Sequence, residues 1–203
     1  MRPALGILLL VLLQISGSWG QRPRNPRKKT ENPIDKIRVK ENFNFAQFAG
    51  KWFLIGVASE CEYLKENNHR VEATTIVVSS KATEKKTLPI STFRKLDGIC
   101  WEIKHEYKQS KVAGSFLLKV RGYNSNVDVL VGDTDYNTYA VLYYQKQRKL
   151  SIKLYARSAN VADNIIQKYE KAVSEQGIAE DFIYYFPKYG FCDSADQFHI
   201  LKD

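Results

Sequence analysis

Between residues 51 and 157 the sequence runs through eight short apolar segments at near-regular spacing, and no helical period interrupts them. They are "KWFLIGVAS" (51–59), "VEATTIVVS" (71–79), "LPISTFRKL" (88–96), "CWEIKHEYK" (100–108), "KVAGSFLLKV" (111–120), "NVDVLVGDTD" (126–135), "TYAVLYYQK" (138–146) and "LSIKLYAR" (150–157). Period-two alternation is clearest in the fourth. There Trp101, Ile103 and Tyr107 share a face with His105, while Glu102, Lys104 and Glu106 take the other. Short connections such as "LDGI" and "GYNSN" join neighbours that should pair antiparallel as an up-and-down meander. Eight such strands can close into a barrel, which removes exposed edges and can hold one small ligand.

The period then changes. In "NVADNIIQKYEKAVSEQG" (160–177) apolar residues recur four apart at Val161, Ile165, Tyr169 and Val173. Asn160 suits an N-cap and Gly177 a stop just past the C-terminus. "FIYYF" (182–186) reads as a short ninth strand, followed by an irregular tail containing Cys192. The expected fold class is all-β with one helix: an eight-stranded antiparallel up-and-down barrel carrying a C-terminal α-helix on its outer wall.

The N-terminal residues have a different character. Arg2, the apolar run "LGILLLVLL" (5–13) and the small residues Ser18 and Gly20 read as a secretory signal peptide over 1–20. No later apolar run reaches the roughly 18 residues of a transmembrane helix. Much of the formal charge of +9 sits in "QRPRNPRKKT" (21–30), where Arg22, Arg24, Arg27, Lys28 and Lys29 are unopposed beside Pro23 and Pro26. Residues 21–40 are therefore expected to form a basic, Pro-containing flexible arm, either contacting an acidic partner or lipid surface or simply solvated. Residues 41–203 form the folded domain. Export makes disulfides available, and three cysteines leave one over after a single internal pair, which suggests a bond to another chain.

Three local motifs fall on matching elements. "GKW" (50–52) opens the first strand after "FNFAQF", "DTDYNTY" (133–139) joins the sixth and seventh strands, and "LYAR" (154–157) ends the eighth. In that order, spanning residues 43–192, they resemble the motifs of the lipocalin family. The resemblance implies that Arg157 lays its guanidinium over Trp52 at the closed end of the barrel, a contact of roughly 0.5–2 kcal/mol. Gly50 suits the tight entry of the chain there. The competing reading of Trp52 and Arg157 is as ligand contacts.

The resemblance also implies the usual lipocalin disulfide, Cys100–Cys192, consistent with Cys100 lying on the outward face with Glu102 and Lys104. Cys61 is left in the polar stretch "SECEYLKENNHR" (59–70), at the open mouth in this fold. It is either a buried inert thiol or, as the resemblance implies, an interchain disulfide to a partner chain. Tyr63 and Leu64 would then form the partner-binding mouth. A second chain would be held noncovalently, in a secreted plasma assembly whose partners enter target membranes.

Enzyme chemistry finds little footing. His69, His105 and His199 lack metal-ligand spacing, and no phosphate-cradling glycine loop, Gly-x-Ser-x-Gly or His-Glu-x-x-His occurs. The expectation is a non-catalytic protein with no cofactor and no metal. Alternation assigns Ile103, Tyr107, Phe116, Leu118, Val129, Val131 and Tyr155 to the calyx lining. They suit either a small hydrophobic ligand or a plain filled core. No Asn-x-Ser/Thr sequon is present, so no N-glycan is expected.

Overall fold

A strand that is apolar on both faces must be covered on both sides. The segment β7 (Tyr139–Lys146) is buried along all but its last residue. Leu142 and Tyr144 point into the barrel, while Tyr139, Val141 and Tyr143 lie in a second cluster on the outer wall. That requirement places the helix. The computed structural model describes residues 31–80, 87–110, 112–119, 126–192 and 198–202. The leader read over 1–20 and the basic run 21–30 lie outside the described residues.

The other barrel strands are β1 (Gly50–Ser59), β2 (Thr74–Val78), β3 (Thr87–Leu96), β4 (Ile99–Gln109), β5 (Ser115–Lys119), β6 (Asn126–Thr134) and β8 (Lys149–Ala156). Each pairs antiparallel with the next, and β1 pairs β8 to close an eight-stranded barrel. The β3–β4 hairpin turns through Asp97 and Gly98, both at positive φ (50° and 77°), as a two-residue primed turn requires. A bulge between Leu54 and Gly56 interrupts the β1–β8 register. It exchanges the faces of β1: Trp52 and Leu54 belong to the interior cluster, whereas Ile55 and Ala58 belong to the outer one.

The helix α3 (Asp163–Glu175) buries Tyr169 and Val173 on the wall formed by β1, β7 and β8, and the Tyr169 hydroxyl donates to the Ile152 carbonyl at 3.0 Å. Its end matches the sequence reading, with Gly177 at φ 75° just beyond the Gln176 cap. Its start does not. Asn160 is no N-cap, because the chain is still extended at Ala162, which takes the cap position, and the helix begins after it.

Four further differences have local causes. The fifth strand starts at Ser115 rather than 111, since Val112–Gly114 turn, with Gly114 at φ 87° and the Ser115 amide donating to Val112. The second strand starts at Thr74, after a short helix α2 (Glu62–Asn67) and a 3₁₀ turn at Asn68–Arg70. Residues Pro33–Lys36 form a 3₁₀ turn whose Ile34 is buried and donates its amide to the Gln145 side chain at 2.8 Å. The Lys40 amide reaches the Val131 carbonyl at 2.8 Å, so the packed domain takes in residues that the sequence reading gave to the arm. Finally, the tail is not irregular throughout. After β9 (Ile183–Tyr185), residues Phe198–Lys202 form a strand, β10, parallel to β4.

Gly132 lies at a second bulge, between Val131 and Asp133, and a β-carbon there would stand 2.3 Å from the Tyr143 ring. Gly132→Ala should therefore lower the unfolding free energy by about 1–3 kcal/mol. An unchanged urea midpoint would show that the Tyr143 ring can move aside.

Candidate functional site

The closed end is built around one side chain. The Arg157 guanidinium carbon sits 3.6 Å from the centre of the Trp52 ring, which is fully buried. Its nitrogens donate to the carbonyls of Tyr136 (3.0 Å), Lys51, Gln47 and Ala49 (each 2.9 Å). Gln47 belongs to a short helical turn, α1 (Phe45–Phe48), that floors the barrel, and Trp52 donates its indole N–H to Phe48 at 2.8 Å. Gly50 adopts φ 98°, and a β-carbon there would press to 3.2 Å from Arg157. Partial burial lowers the Arg157 pKa, opposed by nearby Asp135. Burial alone would raise the Asp135 carboxyl, but donors from Thr138, Tyr139 and Asn137 outweigh it and hold it below its ordinary value. This end is a packed floor in which the half-buried guanidinium gives four hydrogen bonds to backbone carbonyls.

Above the floor the interior fills with rings. Tyr107, Phe116, Leu118, Val129, Val131 and Tyr155 all lie in one buried cluster with Tyr144. The Tyr107 and Tyr144 hydroxyls are 3.4 Å apart, and the Phe116 ring meets Phe45 edge-on at 5.8 Å. Lys153 enters the same space, its ammonium 4.2 Å from the centre of the Tyr144 ring. Ile103, nearer the mouth, is half-buried and outside this cluster. The sequence reading did not select Tyr144 or Lys153, although parity with Leu142 and with Tyr155 carried the signal. Burial pushes the Tyr107 and Tyr143 phenols up to about 12, and raises Tyr144 and Tyr155 as well.

Cysteines occupy the other end and the outer wall. Cys100 and Cys192 are joined by a disulfide, with Cα atoms 5.8 Å apart. Cys100 shares its strand face with Glu102, which accepts from the Ser91 hydroxyl at 2.7 Å on the outside of the sheet. Cys61 is free and half-buried, and caps the N-terminus of α2 with its carbonyl, which accepts from the Leu64 and Lys65 amides. Tyr63 beside it is 68% exposed and Leu64 is half-buried. Because α2 directly follows the mouth end of β1, these three residues stand together on the rim. Among the described residues no group of three or more His, Cys, Asp or Glu could hold a metal.

Residues 49–190 match the model of the lipocalin / cytosolic fatty-acid binding protein family. The chain belongs to the lipocalin family. Among lipocalins it is 44% identical over 199 residues to complement component C8 gamma chain of Oryctolagus cuniculus, a match covering 97% of this chain and 95% of that one. Protein AMBP of Bos taurus is 28% identical over 202 residues, and the chain spans 55% of that longer protein. A solved structure of the siderocalin Ex-FABP shares the fold at a TM-score of 0.61 and 22% identity, covering 71% of this chain and 96% of that one.

Two measurements probe the buried tyrosines of the two clusters. An unfolded tyrosine ionises near its ordinary pKa of about 10, whereas burial makes Tyr107 and Tyr143 hold their protons to about 12. Their folded pKa values are raised, so stability should be level below pH 10 and fall as pH rises towards 12. Denaturant midpoints that stay level across that window would contradict it. In the calyx, Tyr107→Ala and Tyr155→Ala should each destabilise by about 3–5 kcal/mol. Each should also raise uptake of a fluorescent fatty acid analogue. Unchanged uptake in the folded variants would mean that neither ring limits the cavity.

Proposed function

We propose that the chain works as a non-catalytic lipocalin subunit of the eighth complement component, secreted into plasma. It is linked through Cys61 to that component's alpha chain and associates noncovalently with its beta chain. With them it enters the membrane attack complex of the terminal, cytolytic pathway. The observation that carries this reading is the 44% identity to a C8 gamma chain across nearly the full length of both proteins. The free Cys61 on the rim, next to the exposed Tyr63, supports it. No helix among the described residues is long and apolar enough to cross a membrane, so on this reading insertion belongs to the partner chains.

The order of events at the mouth follows from covalent geometry. A disulfide needs two Cα atoms within about 7 Å, so a partner segment must dock before the bond forms. Docking then raises the effective concentration of the partner thiol at Cys61. A second reading, a secreted carrier of a small hydrophobic ligand, draws on the apolar lining formed by Phe116, Leu118, Val129 and Val131. Mass spectrometry of the native protein would favour the carrier if it found a tightly held endogenous molecule.

A Cys61→Ser chain should still bind purified alpha chain at physiological salt, but reversibly. Tyr63→Ala or Leu64→Ala in that background should weaken the complex more than deletion of residues 21–30 does. Complete loss of capture in Cys61→Ser would assign the association to the bond and not to the barrel mouth.

A further inference from the structure

β4 is eleven residues long and β5 only five. One edge of β4 pairs with β3 over nearly its whole length. On the other edge β5 reaches only Tyr107–Gln109. The mouth-side half of that edge, Cys100–Lys104, would present unpaired N–H and C=O groups, and such an edge is a template for any extended chain. β10 sits there instead, in parallel register from Phe198 beside Cys100 to Lys202 beside Lys104.

Its hold is slight. Ile200 is 52% exposed, and the Trp101 ring meets the His199 ring at 5.1 Å. All eight barrel strands precede β10 in the chain, so it can leave β4 without disturbing the meander. The Cys100–Cys192 disulfide fixes the chain beside Cys100, and Phe198 returns to the level of that same residue. The link therefore keeps β10 at high concentration next to its own edge, in the millimolar range typical of short tethers.

We propose that Cys100–Lys104 is a strand-accepting edge, and that β10 exchanges onto the same edge of a second copy of this chain. The second copy's C-terminal strand fits the edge because the chain's own does. Without the disulfide the nearest upstream sheet anchor is β9, on β1 at Gly56–Ala58. That roughly doubles the tether, which lowers the effective concentration at the home edge about threefold and lengthens the reach to a neighbour.

The test uses a Cys61→Ser background, so that the rim thiol forms no dimers of its own. Deleting residues 198–203 should speed hydrogen exchange by at least tenfold at those amides of Cys100–Lys104 that face β10, while the amides that face β3 stay protected. A fluorescent peptide of sequence Phe198–Asp203 should bind saturably and restore protection. The full-length variant Ile200→Pro, which disfavours the strand, should show the same fast exchange and covers the case in which the deletion misfolds. Adding Cys100→Ser and Cys192→Ser should give dimers in sedimentation as concentration rises, and Ile200→Pro should abolish them. The proposal is overturned by unchanged exchange at Cys100–Lys104, by a peptide that does not bind, by monomers at every concentration, or by dimers that survive Ile200→Pro.

Discussion

The contact of the Arg157 guanidinium with the Trp52 ring and four carbonyls fixes the frame on which the rest of the molecule hangs. Arg157 follows the last barrel strand, Trp52 lies on the first, Gln47 and Ala49 belong to the floor, and Tyr136 to the turn between β6 and β7. Three segments of the chain, residues 47–52, the turn at Tyr136 and Arg157 itself, meet at one planar cation. A lysine, with a point charge and no fork, could not serve all of these acceptors at once. Once the start of β1 and the end of β8 are tied, the register Phe53 to Ala156 and Leu54 to Tyr155 follows, and with it the closure of the barrel. The Leu54–Gly56 bulge then turns β1 over. Its lower half pairs β2 and its upper half pairs β9 on the same edge.

That arrangement gives the molecule two unlike ends. The lower interior is a solid of aromatic rings: Phe43, Phe48, Trp52, Phe116 and Tyr107 all belong to one buried cluster. The mouth carries the adaptable chemistry, namely a free thiol, an exposed tyrosine on a short helix and a wall patched by late segments of the chain. A packed floor and a rim with a free thiol suit a scaffold that presents a surface more than they suit a vessel.

Much of this was legible in the sequence because alternation is a local property. "CWEIKHEYK" declares its two faces without help, and Gly177 ends the helix where its lack of a β-carbon permits φ 75°. The three lipocalin motifs named Gly50, Trp52 and Arg157 before any geometry did. What escaped depended on partners distant in sequence. "KWFLIGVAS" hides its bulge, since a residue that changes face looks like one more apolar residue. α2 is made of polar residues in a loop and carries no apolar stripe. Asn160 lost the cap position to Ala162, because the chain is still extended two residues beyond it. β10 could not be read at all, because its pairing rests on the short reach of β5, a fact about a different strand.

The unequal lengths of neighbouring strands also set a schedule. β2 covers β1 only from Gly50 to Phe53, and β5 covers β4 only from Tyr107 to Gln109. Both gaps are filled by segments made after every barrel strand, β9 and β10. During synthesis the floor can assemble as soon as Arg157 has emerged, while the mouth-side walls must wait for residues 183–202. Pairings across about a hundred residues form slowly, because the chain loses loop entropy before the contact rewards it. The mouth-side half of the barrel is therefore the last to become solid, and for that interval two of its strand edges stand open to whatever chain is near.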